Sequence, residues 1–359
     1  MNFEAFVNRV KEDIKDYLPG EFQDMEFVVN QHEKLNNSYA ALTVENQRIA
    51  TVVNLEDFYW DYTHGRSFDS IMGAIAETFE MEKPEIDFGK LTDFEKAKEV
   101  LFIRVSNAEK NEDYLKTVPH TLQEDMAITY HLKMDENENG VASTTITNHM
   151  LHMFGVSKDE LHNAALENSE KMFPANIFDL HEKLRQSFIA DMKLDGMPDE
   201  MIEEMLKDFP EEGEKTMTVV SNDVGINGAA VIFYPGVMDK MAEIAEGDYF
   251  ILPSSVHETI ILHDRGNLTT EELTMMVKEI NATQVEPWDR LTDEVYHYDP
   301  IDKVFEKASA FEERLAKKAE AERNEKKQSI MDKLGEKKEA AMAMLGEKKT
   351  PLRTVETSL

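Results

Sequence analysis

The chain opens with apolar residues at Phe3, Phe6, Val7, Val10, Ile14 and Leu18, separated by charged ones. This is the three-to-four spacing of an amphipathic helix. The period then changes. In MEFVVNQHEKLNNSYAALTVENQRIATVVNL, the alternation Tyr39, Ala41, Thr43, the turn-forming pair Asn36-Asn37 and the β-branched run TVV predict a three-stranded antiparallel meander. Helical spacing returns at Phe68, Ile71, Met72, Ile75 and Phe79, with Ser67 placed as the N-cap. LFIRV at 101–105 predicts a strand, and DMAITYHLKMDENENGVASTTIT predicts two strands joined by the polar turn DENENG. These elements predict a first α+β unit over residues 1–150.

Residues 151–215 read as a helical connector. Ser157 and Glu160 form an S-x-x-E capping box, Ile177, Leu180, Leu184 and Phe188 give one apolar stripe, and Pro198 opens another helix with Met201, Ile202, Met205 and Leu206. The acidic run at 203–215 reads as a linker. From Thr216 the segments TMTVVS, GAAVIFY, GDYFILPSS and HETIILH predict strands. Helices interrupt them at Val237, Met238, Met241, Ile244 and Ala245, and after the Thr269/Glu272 capping box. The second α+β unit therefore covers 216–300. Because strands and helices are mixed rather than strictly alternating, the expected fold class is α+β: two mixed α+β units with largely antiparallel sheets, followed by a long charged C-terminal helix.

That helix is expected over 301–349, with a disordered end at 350–359. Ile301, Val304, Ala308, Phe311 and Leu315 keep helical spacing, and the stripe then fades across AKKAEAERNEKKQ. LGEKK recurs at Leu334 and Leu345, an eleven-residue step compatible with a helical repeat. A solvated charged helix is expected rather than a coiled coil along the whole tail.

Charge sharpens this division. The chain of 359 residues has 72 Asp or Glu against 39 Lys or Arg, a formal charge of −33. Residues 303–359 hold 14 basic and 11 acidic residues, so the acidity belongs to the body. A surface that neutralises phosphates with Lys and Arg is excluded by this balance, and no nucleic-acid partner is expected. With 41% hydrophobic residues the body is too apolar to remain unfolded. The absence of Cys removes disulfides, thiol nucleophiles and Cys-ligated metal sites. The opening helix lacks the uninterrupted apolar core of a signal peptide, and the longest apolar runs, such as Ala229 to Tyr234, fall far short of a bilayer span. A cytoplasmic protein with no membrane contact is expected.

Four segments carry candidate chemistry. His149 and His152 in NHMLH share a helix face, but two imidazoles do not make a metal site, His162 has no fixed relation to them, and no metal or cofactor is expected. LPSSVHE places Ser254, Ser255, His257 and Glu258 together. In an extended strand Ser255 and His257 point to one side, which gives a hydrolase reading, but a triad needs a third group from elsewhere to orient the imidazole. NDVGING has Gly225 and Gly228 in G-x-x-G spacing, preceded by Asp223 and without flanking Lys or Arg, so a glycine turn is expected rather than a nucleic-acid clamp. EDFYWDYTHGRSF concentrates Tyr59, Trp60, His64 and Arg66, a set that forms either a ligand-binding rim or the closing helix of the first core, with Gly65 as its stop.

The combination of LEDFYWDYTHGRSFDSI, NDVGINGAAVIFYPGVM and DYFILPSSVHETIIL resembles an uncharacterised bacterial family, a domain of unknown function often met near mobile elements in anaerobic, gut-type bacteria. The resemblance covers about residues 1–300, leaves the charged tail outside, and implies a bacterial cytosolic protein with no established activity. The expected function is a non-enzymatic binding or protein-interaction module whose C-terminal helix contacts a protein partner. A hydrolase-like enzyme with a pocket near LPSSVHE is the alternative, and an acidic mimic of nucleic acid stands below it. No catalytic residue can be named from the sequence.

Overall fold

The computed structural model describes residues 1–47, 50–81, 87–137, 140–207, 217–253, 255–266 and 268–346. Part of the expected DENENG turn, most of the acidic linker, Ser254, most of the second LGEKK and the end at 350–359 lie outside the described residues. The chain forms two compact units, Met1–Phe305 and Glu306–Leu359.

The first unit begins with helix Phe3–Asp13, capped by Asn2, whose side chain accepts from the Ala5 N–H. Strands β1 (Phe27–Lys34), β2 (Asn37–Val44) and β3 (Val52–Asn54) then form the expected antiparallel meander in the order β1-β2-β3. Asn36 takes the left-handed conformation in the first turn, at φ +61°. Asn tolerates that region because its short amide can hydrogen-bond locally. Helices Leu55–Thr63 and Phe68–Glu80 close this core, the second capped by Ser67. Phe6, Val10, Ile14, Leu42, Leu55, Ile71 and Ile75 are fully enclosed in it.

A four-stranded antiparallel sheet follows: β4 (Leu101–Asn107), β5 (His120–Gln123), β6 (Met126–Asn137) and β7 (Gly140–Thr145), with β6 paired to each of the others. The open edge of β4 is satisfied by helix Lys158–Met172. Ser169 Oγ accepts from the Ile103 N–H at 2.9 Å, and Asn168 Nδ2 donates to the Leu101 carbonyl at 2.9 Å. The helix side chains thereby take up two of the backbone groups on that edge.

The third sheet has the order β13-β12-β10-β11-β9-β8. Its strands are β8 (Ala175–Asp179), β9 (Met217–Asn222), β10 (Tyr249–Leu252), β11 (Thr259–His263), β12 (Tyr296–Asp299) and β13 (Val304–Lys307). Val220, Tyr249, Ile251, Ile261 and Tyr296 from this sheet join Leu101, Ile103, Ile128 and Tyr130 from the second in a single apolar core. The result is an α+β fold with antiparallel sheets and, in the second unit, a long helix, Ala308–Gly346.

Three expected elements differ from the structure. Ile177 lies in β8, paired with Val220, and the helix it was expected to stripe runs Leu180–Leu194 from an Asp179 cap. Cross-strand pairing there overrides a helical spacing. GAAVIFY forms the 3-10 helix Gly228–Phe233 instead of a strand. Gly228 to Ile232 are all buried, and a uniformly apolar run carries no period that separates a strand from a buried helix. The tail helix begins at Ala308, seven residues after Ile301. Asp299 Oδ1 accepts from the N–H groups of Ile301 and Asp302, and Lys303 sits at φ +52°, so the chain turns and adds β13 before the helix starts.

Candidate functional site

The aromatic segment EDFYWDYTHGRSF becomes helix Leu55–Thr63 and the turn after it, where Gly65 at φ +101° ends the helix. Tyr59 packs edge-on against Phe3 with centroids 5.1 Å apart, and its hydroxyl donates to the Met1 carbonyl. Trp60 is 61% exposed and stacks on His64 at 3.9 Å. The His64 Nδ1 is bonded to the Trp60 carbonyl, and Arg66 pairs with Asp61 at 2.8 Å. Tyr59 thus belongs to the first core, while Trp60, His64 and Arg66 form a surface cluster.

In LPSSVHE the buried Ser255 accepts, through Oγ, the backbone N–H of His257 at 3.0 Å. The His257 ring is held from two sides. Its Nδ1 faces the Asn227 N–H at 3.2 Å, and its Nε2 faces Asp289 Oδ1 at 3.2 Å. A backbone N–H can only donate, so Nδ1 is the acceptor and the ring proton sits on Nε2, toward Asp289. Neither nitrogen is left to take a proton from the Ser255 hydroxyl. Ser221 Oγ donates to the His257 carbonyl at 2.8 Å, and Glu258 is half-buried beside the strand. Asp289 does arrive from a distant segment, but what it completes is a brace between the NDVGING loop and LPSSVHE. His149 and His152 are exposed on helix Asn148–Phe154, and no cluster of three metal-ligating side chains occurs among the described residues.

A cavity of about 330 Å³ opens elsewhere, between helix Lys158–Met172, the 3-10 helix Gly228–Phe233 and β12. Its apolar floor includes Ile128, Leu166, Ile232 and Met238. One wall is a charged triplet: Asp239 accepts from the Tyr298 hydroxyl at 2.7 Å and from Lys303 Nζ at 2.7 Å. These two donors, Lys303 first, hold the Asp239 carboxyl below the usual carboxylate range. Burial and then the Asp239 contact push the Tyr298 hydroxyl up to about 12. The opposite wall is His162, whose Nδ1 lies 3.0 Å from the Tyr130 hydroxyl; that hydroxyl also meets Thr121 Oγ1 at 2.7 Å. Burial and Lys158 hold the His162 imidazole toward its neutral form. The arrangement offers a cation, a neutral imidazole and phenolic groups over an apolar floor, the composition of a small-molecule site.

Of the cavity's residues only His162 is considered for chemistry from the sequence, and in another role, while Met238 and the GAAVIFY residues read as core. Asp239 reads as an ordinary polar position of helix Val237–Ala245, Tyr298 falls at the end of the expected 216–300 unit with no element assigned to it, and Lys303 falls where the tail is expected to start. The available signal was the aromatic run YHYD, which forms a strand buried on both faces.

This architecture defines a helix-covered antiparallel α+β protein with a compact polar cavity, and no helix among the described residues is long and apolar enough to cross a membrane. By its match over residues 3–300, the chain belongs to the family of unknown function DUF5688. No curated protein and no solved structure matches it.

Proposed function

We propose that the protein is a non-enzymatic binding module whose ligand is a compact, partly apolar molecule carrying a hydrogen-bond acceptor. The observation that carries this reading is the convergence on one cavity of the Asp239–Tyr298–Lys303 triplet and of His162, from segments far apart in sequence. Lys303 Nζ has donor capacity beyond Asp239, and His162 Nε2 faces no partner among the described residues. No nucleophile is paired with a free base there, and the His257 nitrogens are both engaged, which favours binding over catalysis.

A second role belongs to helix Ala308–Gly346, for which the supporting observation is exposed apolar Ile330, Met331, Leu334 and Met342 on an otherwise charged helix. We assign it contact with a protein partner. The cavity reading is tested by screening small metabolites for thermal stabilisation of the full chain, of Leu166→Trp, which fills the cavity, and of a 1–307 chain; the tail reading is tested by pull-down with the full and the 1–307 chains, and recovery of the same partners by both would contradict it. A ligand at about a hundred times its Kd stabilises by about 2.7 kcal/mol. The expected result is a ligand that stabilises the full and the shortened chain alike and has no effect on Leu166→Trp. A ligand response unchanged in Leu166→Trp would place binding elsewhere.

A further inference from the structure

Within the acidic body one partly buried cation, Arg104, pairs with no carboxylate among the described residues. Arg104 lies in β4, paired with Thr129 of β6, on the sheet face that also carries Phe102 and Ser106. Its guanidinium donates to Ser143 Oγ at 2.9 Å and lies 5.4 Å from the Phe102 ring centroid. Its Nε is fully enclosed and has no hydrogen-bond partner, and no carboxylate pairs with it among the described residues. The nearest groups on that face, Thr129, His131 and Ser143, are neutral, and Lys133, paired in register with Ser143, is matched by Glu136 at 2.8 Å. His131 is buried, with its two ring nitrogens on Thr129 and Thr145 hydroxyls, and burial together with the Arg104 charge holds it well below the ordinary imidazole range. A guanidinium cannot shed its proton, so enclosing its Nε without a partner is costly.

Arg104 also lines a crevice of about 20 Å³, whose walls include Phe102, Phe173, Tyr234, Asn222 and Asn227 and an apolar rim of Val141, Val224 and Ile226. Roughly 10–15 Å³ of such volume holds one water, so there is room for one or two atoms of that size beside the charge. The Asn227 side-chain amide makes no hydrogen bond among the described residues, and its backbone, at φ +54°, is fixed by the His257 contact. The Asp289–His257–Asn227 brace therefore positions one wall of the crevice. A cation without a carboxylate partner among the described residues, a free amide and a volume too small for phosphate occur together.

We propose that Arg104 anchors a site for one small monovalent anion, a free ion or the carboxylate end of a longer ligand, bound in the crevice beside Asn227. This site is separate from the cavity at Asp239, although Tyr234 lines both. The full-length protein is titrated with sodium formate and, at matched ionic strength, with sodium gluconate, whose hydroxylated chain does not suit the apolar rim of Val141, Val224 and Ile226. Melting temperature is followed together with the Nε–Hε resonance of Arg104. Formate is expected to raise the melting temperature with saturation and to move the Arg104 resonance along the same curve, while gluconate does neither. In Arg104→Gln the formate response should disappear, and in Arg104→Lys, which loses the planar fork, the apparent Kd should rise at least about tenfold. Should Arg104→Gln fail to fold, the wild-type resonance and the formate-to-gluconate contrast still decide. Formate and gluconate acting alike, or a formate response that persists in Arg104→Gln, would overturn the proposal. Affinity that climbs through acetate, propionate and butyrate identifies the carboxylate end of a longer ligand; affinity that falls with size identifies a free ion.

Discussion

Lys303 and Arg104 are two cations of the same compact unit with opposite solutions to the same problem. Lys303 is exposed and finds a carboxylate in the chain, Asp239 at 2.7 Å. Arg104 is enclosed at Nε and finds a serine hydroxyl, a phenyl ring and no carboxylate among the described residues. In a chain with 72 acidic residues, this contrast is not a matter of supply. A surface pair forms cheaply and is worth little, whereas an enclosed charge must be matched at short range, and here the nearest neighbours on the sheet face are neutral while Glu136 pairs with Lys133. The comparison separates a cation that belongs to the protein's own surface from one whose partner is expected from outside.

The largest effect expected on this comparison comes from Gly228→Ala. A Cβ there would meet Ser221 Oγ, the His257 carbonyl at 2.5 Å and the Asn222 backbone nitrogen at 2.7 Å. Two of these are backbone atoms that cannot swing away, so a loss of about 3 kcal/mol is expected in denaturant unfolding. The formate response should weaken with it, because the loop from Asn222 to Asn227 walls the crevice.

Next in size is the response to acid. His131, beside Arg104, and His162, across the cavity from Lys303, both have folded-state pKa values below the unfolded 6.5. Such a group binds fewer protons folded than unfolded, so its contribution is complete above about pH 6.5 and is withdrawn as pH falls below that toward the folded value. Unfolding free energy is expected to fall between about pH 7 and 5, by up to about 1.4 kcal/mol per pH unit for each imidazole kept neutral. His131→Gln should flatten that slope more than His162→Gln, since His131 is fully buried and the other is half-buried. Equal flattening would mean that the Arg104 side of the molecule is no more constrained than the cavity. The smallest effect belongs to Lys303→Met, below about 1 kcal/mol, because the pair it breaks is exposed.

The two regions also differ in how far the sequence discloses them. Helix caps are local chemistry, and Ser67, Ser157 with Glu160, and Thr269 with Glu272 cap the helices where the sequence places them. The meander was legible because alternation and Asn36-Asn37 agree at one place. GAAVIFY was not, because its burial on all sides depends on Ser221 and the His257 segment lying over Gly228. The start of the tail was misread because helical spacing persists through Ile301 and Val304, while the turn that interrupts it depends on the Asp299 side chain. For the sites the limit is distance along the chain: the cavity joins residues from Gln123 to Phe305. Arg104 sat in plain view within LFIRV, a strand by its neighbours. Its isolation becomes visible only when helix Lys158–Met172 closes the edge of β4 and Phe173 and the Asn222–Asn227 loop wall the crevice beside it.

The most direct measurement is the unfolding free energy of Arg104→Met against wild type, first in a buffer whose only anion is gluconate and then with formate added at the same ionic strength. If the counter-charge of Arg104 comes from outside the chain, the apolar variant should equal or exceed wild type in gluconate, by up to about 4 kcal/mol. Formate should then raise wild type and leave Arg104→Met unmoved. A variant several kcal/mol less stable than wild type in both buffers, by the same amount, would show that the guanidinium is already satisfied within the fold.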